Sequence, residues 1–172
     1  MGSVSWYVVL IALVVLERLA ELVLSKKHAS WAFDHGGVEY GRGHYPPMVV
    51  LHTGLLVGCL LEVFSADRQF NPALGWSMVV VVLAAQGLRW WCILTLGRQW
   101  NTRVIVTPGI PLVHRGPYRW IPHPNYVAVI AEGIALPLVH SAWITAAVFT
   151  VLNAWLLVVR IRTENAALDT VR

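Results

Sequence analysis

The chain has 172 residues, of which 57% are hydrophobic and only 13% are charged. A water-soluble domain of this length needs a more strongly charged exterior, so the composition predicts an integral membrane protein with a single domain over residues 1–172. The formal net charge of +4 does not indicate nucleic-acid binding, because the basic residues lie in short loops between apolar runs rather than in one polar tract.

Five apolar runs have a length that suits the hydrocarbon core, which takes roughly 20 helical residues to cross. We therefore predict an all-α membrane bundle of five transmembrane helices, over residues 5–24, 47–64, 74–96, 124–139 and 143–164. The fourth run is short and contains Pro137, and a tight turn at His140 and Ser141 follows it. The last two helices are thus predicted to form a hairpin.

The distribution of Lys and Arg predicts how the five helices are oriented, because cytoplasmic loops accumulate these residues. With five spans, only Arg68 falls on one side of the membrane, while Arg18 and Arg89 lie within spans. The other side receives Lys26, Lys27, Arg42, Arg98, Arg103, Arg115, Arg119, Arg160, Arg162 and Arg172. This bias predicts an N-terminus outside the cell and a cytoplasmic loop over residues 97–123.

Ionisable side chains within the predicted spans are costly, so they either pair between helices or serve a function. Arg18 and Glu21 are three residues apart, and Arg160 and Glu164 are four apart, so each pair can share a helix face. Glu132 lies about two turns inside the fourth helix, where its side chain cannot readily reach the interface. The residues alone do not decide whether these charged side chains only pair between helices or also serve a function.

The predicted cytoplasmic loop is rich in Gly and Pro, which specify turns. His123 is followed by Pro124, and Pro is favoured at the first position of a helix. The free N–H groups of such a helix start can bind an anionic group. Because Arg160 and Glu164 lie at the neighbouring end of the predicted hairpin, a binding site is one interpretation of this face, and a plain connecting loop is the other.

Three motifs lie in this part of the chain. They are Gly116-Pro117-Tyr118 preceded by Leu112 and Val113, then His123-Pro124-Asn125-Tyr126, and then Arg160-Ile161-Arg162-Thr163-Glu164. In this order and spacing they resemble the signature of the isoprenylcysteine carboxyl methyltransferase family, over about residues 97–168. The wider group includes phospholipid N-methyltransferases and bacterial enzymes that O-methylate long-chain phenolic or pyrone lipids.

The resemblance implies a membrane-embedded methyltransferase that uses S-adenosylmethionine without a Rossmann domain, and the chain indeed has no Gly-x-Gly-x-x-Gly motif. Arg160 and the helix start can meet the carboxylate of this cofactor, aromatic rings its adenine or sulfonium, and Glu164 its amine. By the family pattern, the cofactor-binding residues are Tyr118, His123, Asn125, Tyr126, Arg160 and Glu164.

Methyl transfer is an in-line displacement that requires positioning and a deprotonated nucleophile, and Arg160 and Glu164 are predicted to be catalytic. A hydroxyl acceptor requires a base, for which Glu164, His123 and Glu132 are candidates. A carboxylate acceptor requires none and can be oriented by Arg160 or Arg103. Arg103 and Glu132 are accordingly predicted to bind the substrate.

Three departures from the family pattern bear on the acceptor. Pro122 stands where the family has Arg, Asn165 stands where it has a second Glu, and the chain ends at Arg172 without the aromatic tail of prenylcysteine-specific members. These departures favour a long-chain phenol or pyrone-type lipid over a prenylcysteine-like carboxylate. The acceptor is expected to enter from the bilayer of a bacterial cytoplasmic membrane, and the cofactor from the cytoplasm.

Two other functions are compatible with the sequence. One is phospholipid N-methylation, and the other is a non-catalytic role as a small membrane transporter or assembly protein. The second is disfavoured because polar groups are sparse in the outer half, where a transport path also needs them. No metal site is predicted, because the seven histidines lack ligand spacing on one helix face. Oligomeric state and the identity of the acceptor are not specified.

Overall fold

A computed structural model describes residues 2–170 of the chain. Within these residues the fold is a bundle of five α-helices with one pair of short strands, so the all-α prediction is confirmed. The third helix packs against the fourth, and both the second and the fourth pack against the fifth. The elements are α1 (Ser3–Asp34), β1 (Val38–Tyr40), α2 (Tyr45–Ser65), α3 (Pro72–Leu96), β2 (Val104–Val106), α4 (Pro124–Leu138) and α5 (Trp143–Asp169).

Three helical segments are long and apolar enough to cross a membrane, judged by length and composition: Arg42–Ser65, Pro72–Gln99 and Trp143–Asp169. The fourth helix is apolar but has only 15 residues, which corresponds to about 22 Å, less than the roughly 30 Å of hydrocarbon in a bilayer. The first helix, which carries five charged residues between Glu17 and Lys27, is not among the three. These helices make the chain a membrane protein.

The first helix continues ten residues beyond its predicted end at residue 24. His28 therefore lies in a helix, and not in the loop expected between the first two spans. Hydrophobicity does not sustain this extension. Instead, Ser25, Ala29 and Ala32 are buried, and the Ser25 hydroxyl donates a hydrogen bond of 2.9 Å to Asn101 Oδ1. Tertiary contacts with the loop after α3 therefore keep α1 helical after its apolar run has ended.

The predicted loop 97–123 is also more ordered than a plain connection. Its strand β2 pairs antiparallel with β1, with Val38 opposite Val106 and Tyr40 opposite Val104. The buried side chains of Val104 and Val106 pack on Ala167 near the end of α5. The two loops and the end of α5 are thereby fixed to one another at one end of the bundle.

The predicted hairpin of the last two helices is present, and Pro137 lies one residue before the end of α4 without ending it earlier. Glu62, at the end of α2, accepts hydrogen bonds from the backbone N–H of Ile144 (3.1 Å) and of Thr145 (2.7 Å). This carboxylate satisfies free donors in the first turn of α5, and it pairs with Arg68 at 2.8 Å. The hairpin is therefore attached to the end of α2.

Candidate functional site

The end of the bundle that carries the loops contains a cavity of ≈ 370 Å³, which we call the first cavity. Its lining comes from the loop between α3 and α4, the start of α4 and the end of α5. All six predicted cofactor-binding residues lie on it: Tyr118, His123, Asn125, Tyr126, Arg160 and Glu164. The structure thus brings together residues that are up to 46 positions apart in the sequence.

Arg160 is buried and is held by three different parts of the chain. Its Nε donates to the hydroxyl of Tyr126 (2.8 Å), and one terminal nitrogen donates to the backbone carbonyl of Thr102 (2.6 Å). The other terminal nitrogen contacts the sulfur of Met48 at 3.0 Å. A guanidinium has more N–H donors than these contacts use, so Arg160 keeps donors for a ligand.

The hydroxyl of Tyr126 connects Arg160 to Glu164, because it accepts from the first and donates to the second. The other oxygen of Glu164 lies 3.6 Å from His123 Nδ1, and the His123 ring stacks on the Tyr126 ring with centroids 5.3 Å apart. We call the four side chains of Arg160, Tyr126, Glu164 and His123 the cavity network. The cavity network joins α4 to α5, because the start of α4 lies beside the end of α5.

Asn165 contacts the cavity network from outside, since its side-chain oxygen lies 3.0 Å from His123 Nε2. The Glu164 carboxylate 3.6 Å from Nδ1 and the hydrogen bond with Asn165 raise the pKa of His123 despite partial burial. For Tyr118, burial itself raises the pKa, so its hydroxyl remains protonated at neutral pH. The first cavity therefore offers a phenol donor, an imidazole inclined to carry a proton, a carboxylate and a guanidinium.

A second cavity, of ≈ 180 Å³, lies on the other side of the cavity network. Its lining is mainly apolar, from residues such as Leu22, Val49, Leu56, Val129 and Leu156. The two cavities have five lining residues in common, which are Trp100, Asn101, Asn125, Tyr126 and Arg160. The two cavities therefore adjoin at these side chains.

Between α1, α3 and α4 lies a set of paired charges, formed by Arg18, Glu21, Arg89 and Glu132, which we call the ion cluster. Both oxygens of Glu132 accept from Arg18, at 2.7 and 2.5 Å, and one of them also accepts from Arg89 at 2.7 Å. The other carboxylate, of Glu21, pairs with Arg18 at 2.6 Å. Arg18 and Glu21 share a helix face as predicted, and interhelical pairing accounts for the contacts of Glu132.

The two residues predicted to bind the substrate lie outside the second cavity. Glu132 is 5% exposed and lines neither of the two larger cavities. Arg103 lines the first cavity, where its guanidinium lies 3.6 Å from Glu39 and 5.3 Å from the ring centre of Tyr45. Their role in substrate binding stays a prediction.

Sequence reasoning missed the contribution of Trp100, Asn101 and Thr102. Asn101 and Thr102 connect the site to α1, because the Ser25 hydroxyl lies 2.9 Å from Asn101 Oδ1 and 2.7 Å from Thr102 Oγ1. The sequence did contain a signal for these residues, which is the polar run Gln-Trp-Asn-Thr shortly after Gly97. A simple connecting loop does not need such residues. The partner of His123, Asn165, was noted only as a departure from the family pattern.

S-Adenosylmethionine fits the chemistry of the first cavity. Its volume is within the range of small-molecule sites, about 300–1,000 Å³, and its lining offers a complementary group for each part of the cofactor. Arg160 suits the carboxylate, the free oxygen of Glu164 suits the amine, and aromatic rings such as Tyr118 suit the adenine or the sulfonium. Within residues 2–170, no group of three or more His, Cys, Asp or Glu side chains is placed to hold a metal ion.

Comparison with known proteins gives results consistent with this site. The profile of the isoprenylcysteine carboxyl methyltransferase family matches residues 78–170, a range that includes every residue of the cavity network. Uncharacterized protein YpbQ of Bacillus subtilis (strain 168) is 37% identical over 161 residues, which cover 93% of this chain and 95% of that protein. An uncharacterized protein of Haemophilus influenzae is 23% identical over 159 residues, or 92% of each chain.

Proposed function

Since this chain belongs to the isoprenylcysteine carboxyl methyltransferase family, a family of membrane methyltransferases that use S-adenosylmethionine, we propose that it methylates an oxygen of a lipophilic acceptor taken from the membrane. The observation that carries the proposal is the position of the cavity network. Tyr126 and Arg160 line both a polar cavity and an apolar one, as a reaction between a polar and a lipophilic partner requires.

The cofactor is assigned to the first cavity, where it supplies an electrophilic methyl group carried on a sulfonium. Arg160, which is positioned by the Thr102 carbonyl at 2.6 Å, would hold its carboxylate. Glu164 would hold the amine through the oxygen that does not accept from Tyr126. Tyr118, His123 and Asn125 complete the lining.

The acceptor is assigned to the second cavity, whose mainly apolar lining suits a long hydrocarbon chain. A hydroxyl that lies against the shared side chains would lose its proton as the new C–O bond forms and the methyl–sulfur bond breaks, which leaves S-adenosylhomocysteine as the second product. Tyr126 can pass this proton to Glu164, because its hydroxyl already donates to that carboxylate. The nearby guanidinium of Arg160 stabilises the developing oxyanion.

Long-chain phenols and pyrone-type lipids fit this assignment better than a prenylcysteine-like carboxylate. A carboxylate needs no base, so it would leave the Tyr126–Glu164 hydrogen bond without a catalytic use. Phospholipid N-methylation is the second candidate within the family's chemistry. The product of the reaction distinguishes these three acceptors.

The same proposal includes a topology of five spans, with the N-terminus outside and the first cavity at the cytoplasmic face of a bacterial membrane. The charge bias of the loops supports it. The cavity also opens among the loops that carry most of the basic residues, including Arg98, Arg103 and Arg119. A soluble cofactor made in the cytoplasm then reaches the site directly.

The test incubates the purified protein, in lipid, with methyl-labelled S-adenosylmethionine and an extract of bacterial lipids, and identifies labelled products by mass spectrometry. We expect a labelled methyl ether of a long-chain phenol or pyrone, and a Glu164→Gln variant that forms little of it. A labelled phospholipid headgroup would instead show that the protein N-methylates phospholipids. Protein that binds cofactor analogue yet labels none of these lipids would overturn the proposed acceptor class.

A further inference from the structure

One histidine of the second cavity lies outside the three motifs and outside the residues that match the family. His44 directly precedes α2, is half-buried, and lines this cavity together with Tyr126 and Arg160. Within residues 2–170, neither nitrogen of its imidazole has a hydrogen-bond partner, and neither is fully buried. The ring therefore keeps a nitrogen for a ligand in the cavity.

The position of the His44 ring is fixed by the turn that precedes α2. Gly41 has a φ of 61°, and its carbonyl accepts from the backbone N–H of His44 at 3.2 Å. The imidazole packs directly on this glycine, since a Cβ at Gly41 would lie only 2.3 Å from His44 Cε1. Pro46 and Pro47 then begin α2. Both the left-handed backbone and the close ring thus require glycine at position 41.

The same turn places His44 against the end of α5. A Cβ at Gly41 would also lie 2.6 Å from Thr163 Cγ2, so the imidazole and this methyl group are close neighbours. Thr163 is three residues after Arg160, which places the two on one face of α5. Arg160 itself contacts the sulfur of Met48 at 3.0 Å, and Met48 lies one turn after His44. Contacts on both sides of His44 therefore bring it beside Arg160.

The charges around His44 are those at the Arg160 end of the cavity. Arg160 and Glu164 of α5 and Glu39 of β1 act on it electrostatically. His52, about two turns further along α2, lines the same cavity. The charges that act on His52 are instead those of the ion cluster. Of these two histidines, His44 is thus the one beside the side chains that both cavities share.

The other polar groups at this end already have partners. Glu164 accepts from Tyr126, and its second oxygen is assigned to the amine of the cofactor. The Tyr126 hydroxyl also accepts from Arg160. His44 lines the second cavity and not the first, so its free nitrogen lies on the side assigned to the acceptor. Histidine is the side chain that most often serves as a general base.

We propose that His44 is a catalytic base, which takes the proton of the acceptor hydroxyl from within the second cavity. The inference rests on the proposed function and adds a proton route to the one through Tyr126. The O–H bond breaks and its proton passes to the imidazole nitrogen as the oxygen forms its bond to the methyl carbon. The methyl–sulfur bond breaks in the same step, and its electron pair stays on sulfur. His44 then releases the proton to water at the loop end of the bundle.

The test compares two acceptors of equal chain length, a pentadecyl phenol and the same phenol with two ortho fluorines. The assay pH lies between the pKa values of the two hydroxyls, so the first acceptor is protonated and needs a base, whereas the second is already ionised. His44→Gln should lower kcat with the parent phenol by at least about tenfold, and with the ionised acceptor by at most about twofold. Free imidazole should restore part of the activity of His44→Ala with the parent phenol only.

His35→Gln is the matched control, because His35 is exposed, stacks on Trp31 and lines neither of the two larger cavities. Its rates with both acceptors should stay within about twofold of wild type. His52→Gln should affect the two acceptors alike, since it lies at the other end of the cavity.

The ratio between the two acceptors separates catalysis from folding, because a loss of folded protein lowers both rates together. Equal losses with both acceptors in His44→Gln, or unchanged kcat with the parent phenol, would overturn the role of His44 alone. Wild-type protein that methylates neither acceptor, nor any lipid of the extract, would overturn the proposed function and this inference with it.

Discussion

Glu132 in the ion cluster and Glu164 in the cavity network are both carboxylates beside a guanidinium, and they differ in how completely neighbouring groups pair with their two oxygens. In the ion cluster, both oxygens of Glu132 accept from guanidiniums at 2.5–2.7 Å, and no larger cavity reaches them. In the cavity network, one oxygen of Glu164 accepts from Tyr126, while the other lies 3.6 Å from His123 and faces the first cavity. A carboxylate that is fully paired holds helices together, and one that keeps an oxygen for a ligand can bind and catalyse.

The largest effect is expected at Arg160, which touches α2, the loop after α3, and α4. Arg160→Ala should lower kcat/KM for methyl transfer by at least about 100-fold, because it removes a cofactor contact and frees Tyr126 to move. Arg162→Ala is the matched control on the same helix, since Arg162 is exposed; its activity should stay within about twofold of wild type. Similar losses in both variants would contradict the special role of Arg160.

Exchanging one carboxylate for an amide in each region separates structural pairing from catalysis. Glu132→Gln leaves the buried guanidinium of Arg89 and the half-buried one of Arg18 short of a negative partner. It should destabilise the fold by about 3 kcal/mol, which lowers the midpoint of thermal unfolding in detergent. Glu164→Gln should change that midpoint little and abolish most methyl transfer. Glu132→Gln protein that stays folded and binds S-adenosylhomocysteine, yet transfers no methyl group, would instead make Glu132 part of the catalytic machinery.

A smaller effect is expected from Tyr126→Phe, which removes only the hydroxyl between Arg160 and Glu164. We expect kcat with a hydroxyl acceptor to fall by about tenfold, since one route for the proton is lost while the stacked ring remains. Steady-state kinetics with saturating cofactor measures this change. An increase in KM for the cofactor with unchanged kcat would show that the hydroxyl serves binding and not proton transfer.

The smallest effect concerns the protonation of His123, whose pKa is raised above its ordinary value chiefly by the Glu164 carboxylate beside it. The protonated pair therefore stabilises the fold fully below the unfolded pKa of about 6.5, and this contribution is lost as the pH rises through the raised value. Glu164→Gln should lower the pKa of His123 and remove most of that pH dependence. An NMR titration of the imidazole measures it, with Arg162→Ala expected to leave the pKa unchanged.

Much of the fold was predictable because it depends on local hydrophobicity and on turn residues. The starts of α4 and α5 at Pro124 and Trp143 agree with the predicted boundaries, since Pro and a tight turn specify them locally. The extension of α1 to Asp34 and the pairing of β1 with β2 were not predictable, because they depend on contacts such as Ser25 with Asn101, which are 76 residues apart.

The six residues that the motifs indicated all line the first cavity, and their role in cofactor binding stays a prediction. For Glu132, which lies in none of the three motifs, the sequence left both interhelical pairing and a functional role open. Only the positions of Arg18 and Arg89 on neighbouring helices show which carboxylate is saturated.

The central claim is that the first cavity binds S-adenosylmethionine through Arg160. Calorimetric titration of the purified protein with S-adenosylhomocysteine, in detergent and again in lipid, tests it most directly. We expect one binding site per chain in the wild type and in Arg162→Ala, and at least about tenfold weaker binding in Arg160→Ala. Folded wild-type protein that binds none of this ligand in either medium, or an Arg160→Ala variant that binds it as tightly as the wild type, would contradict the claim.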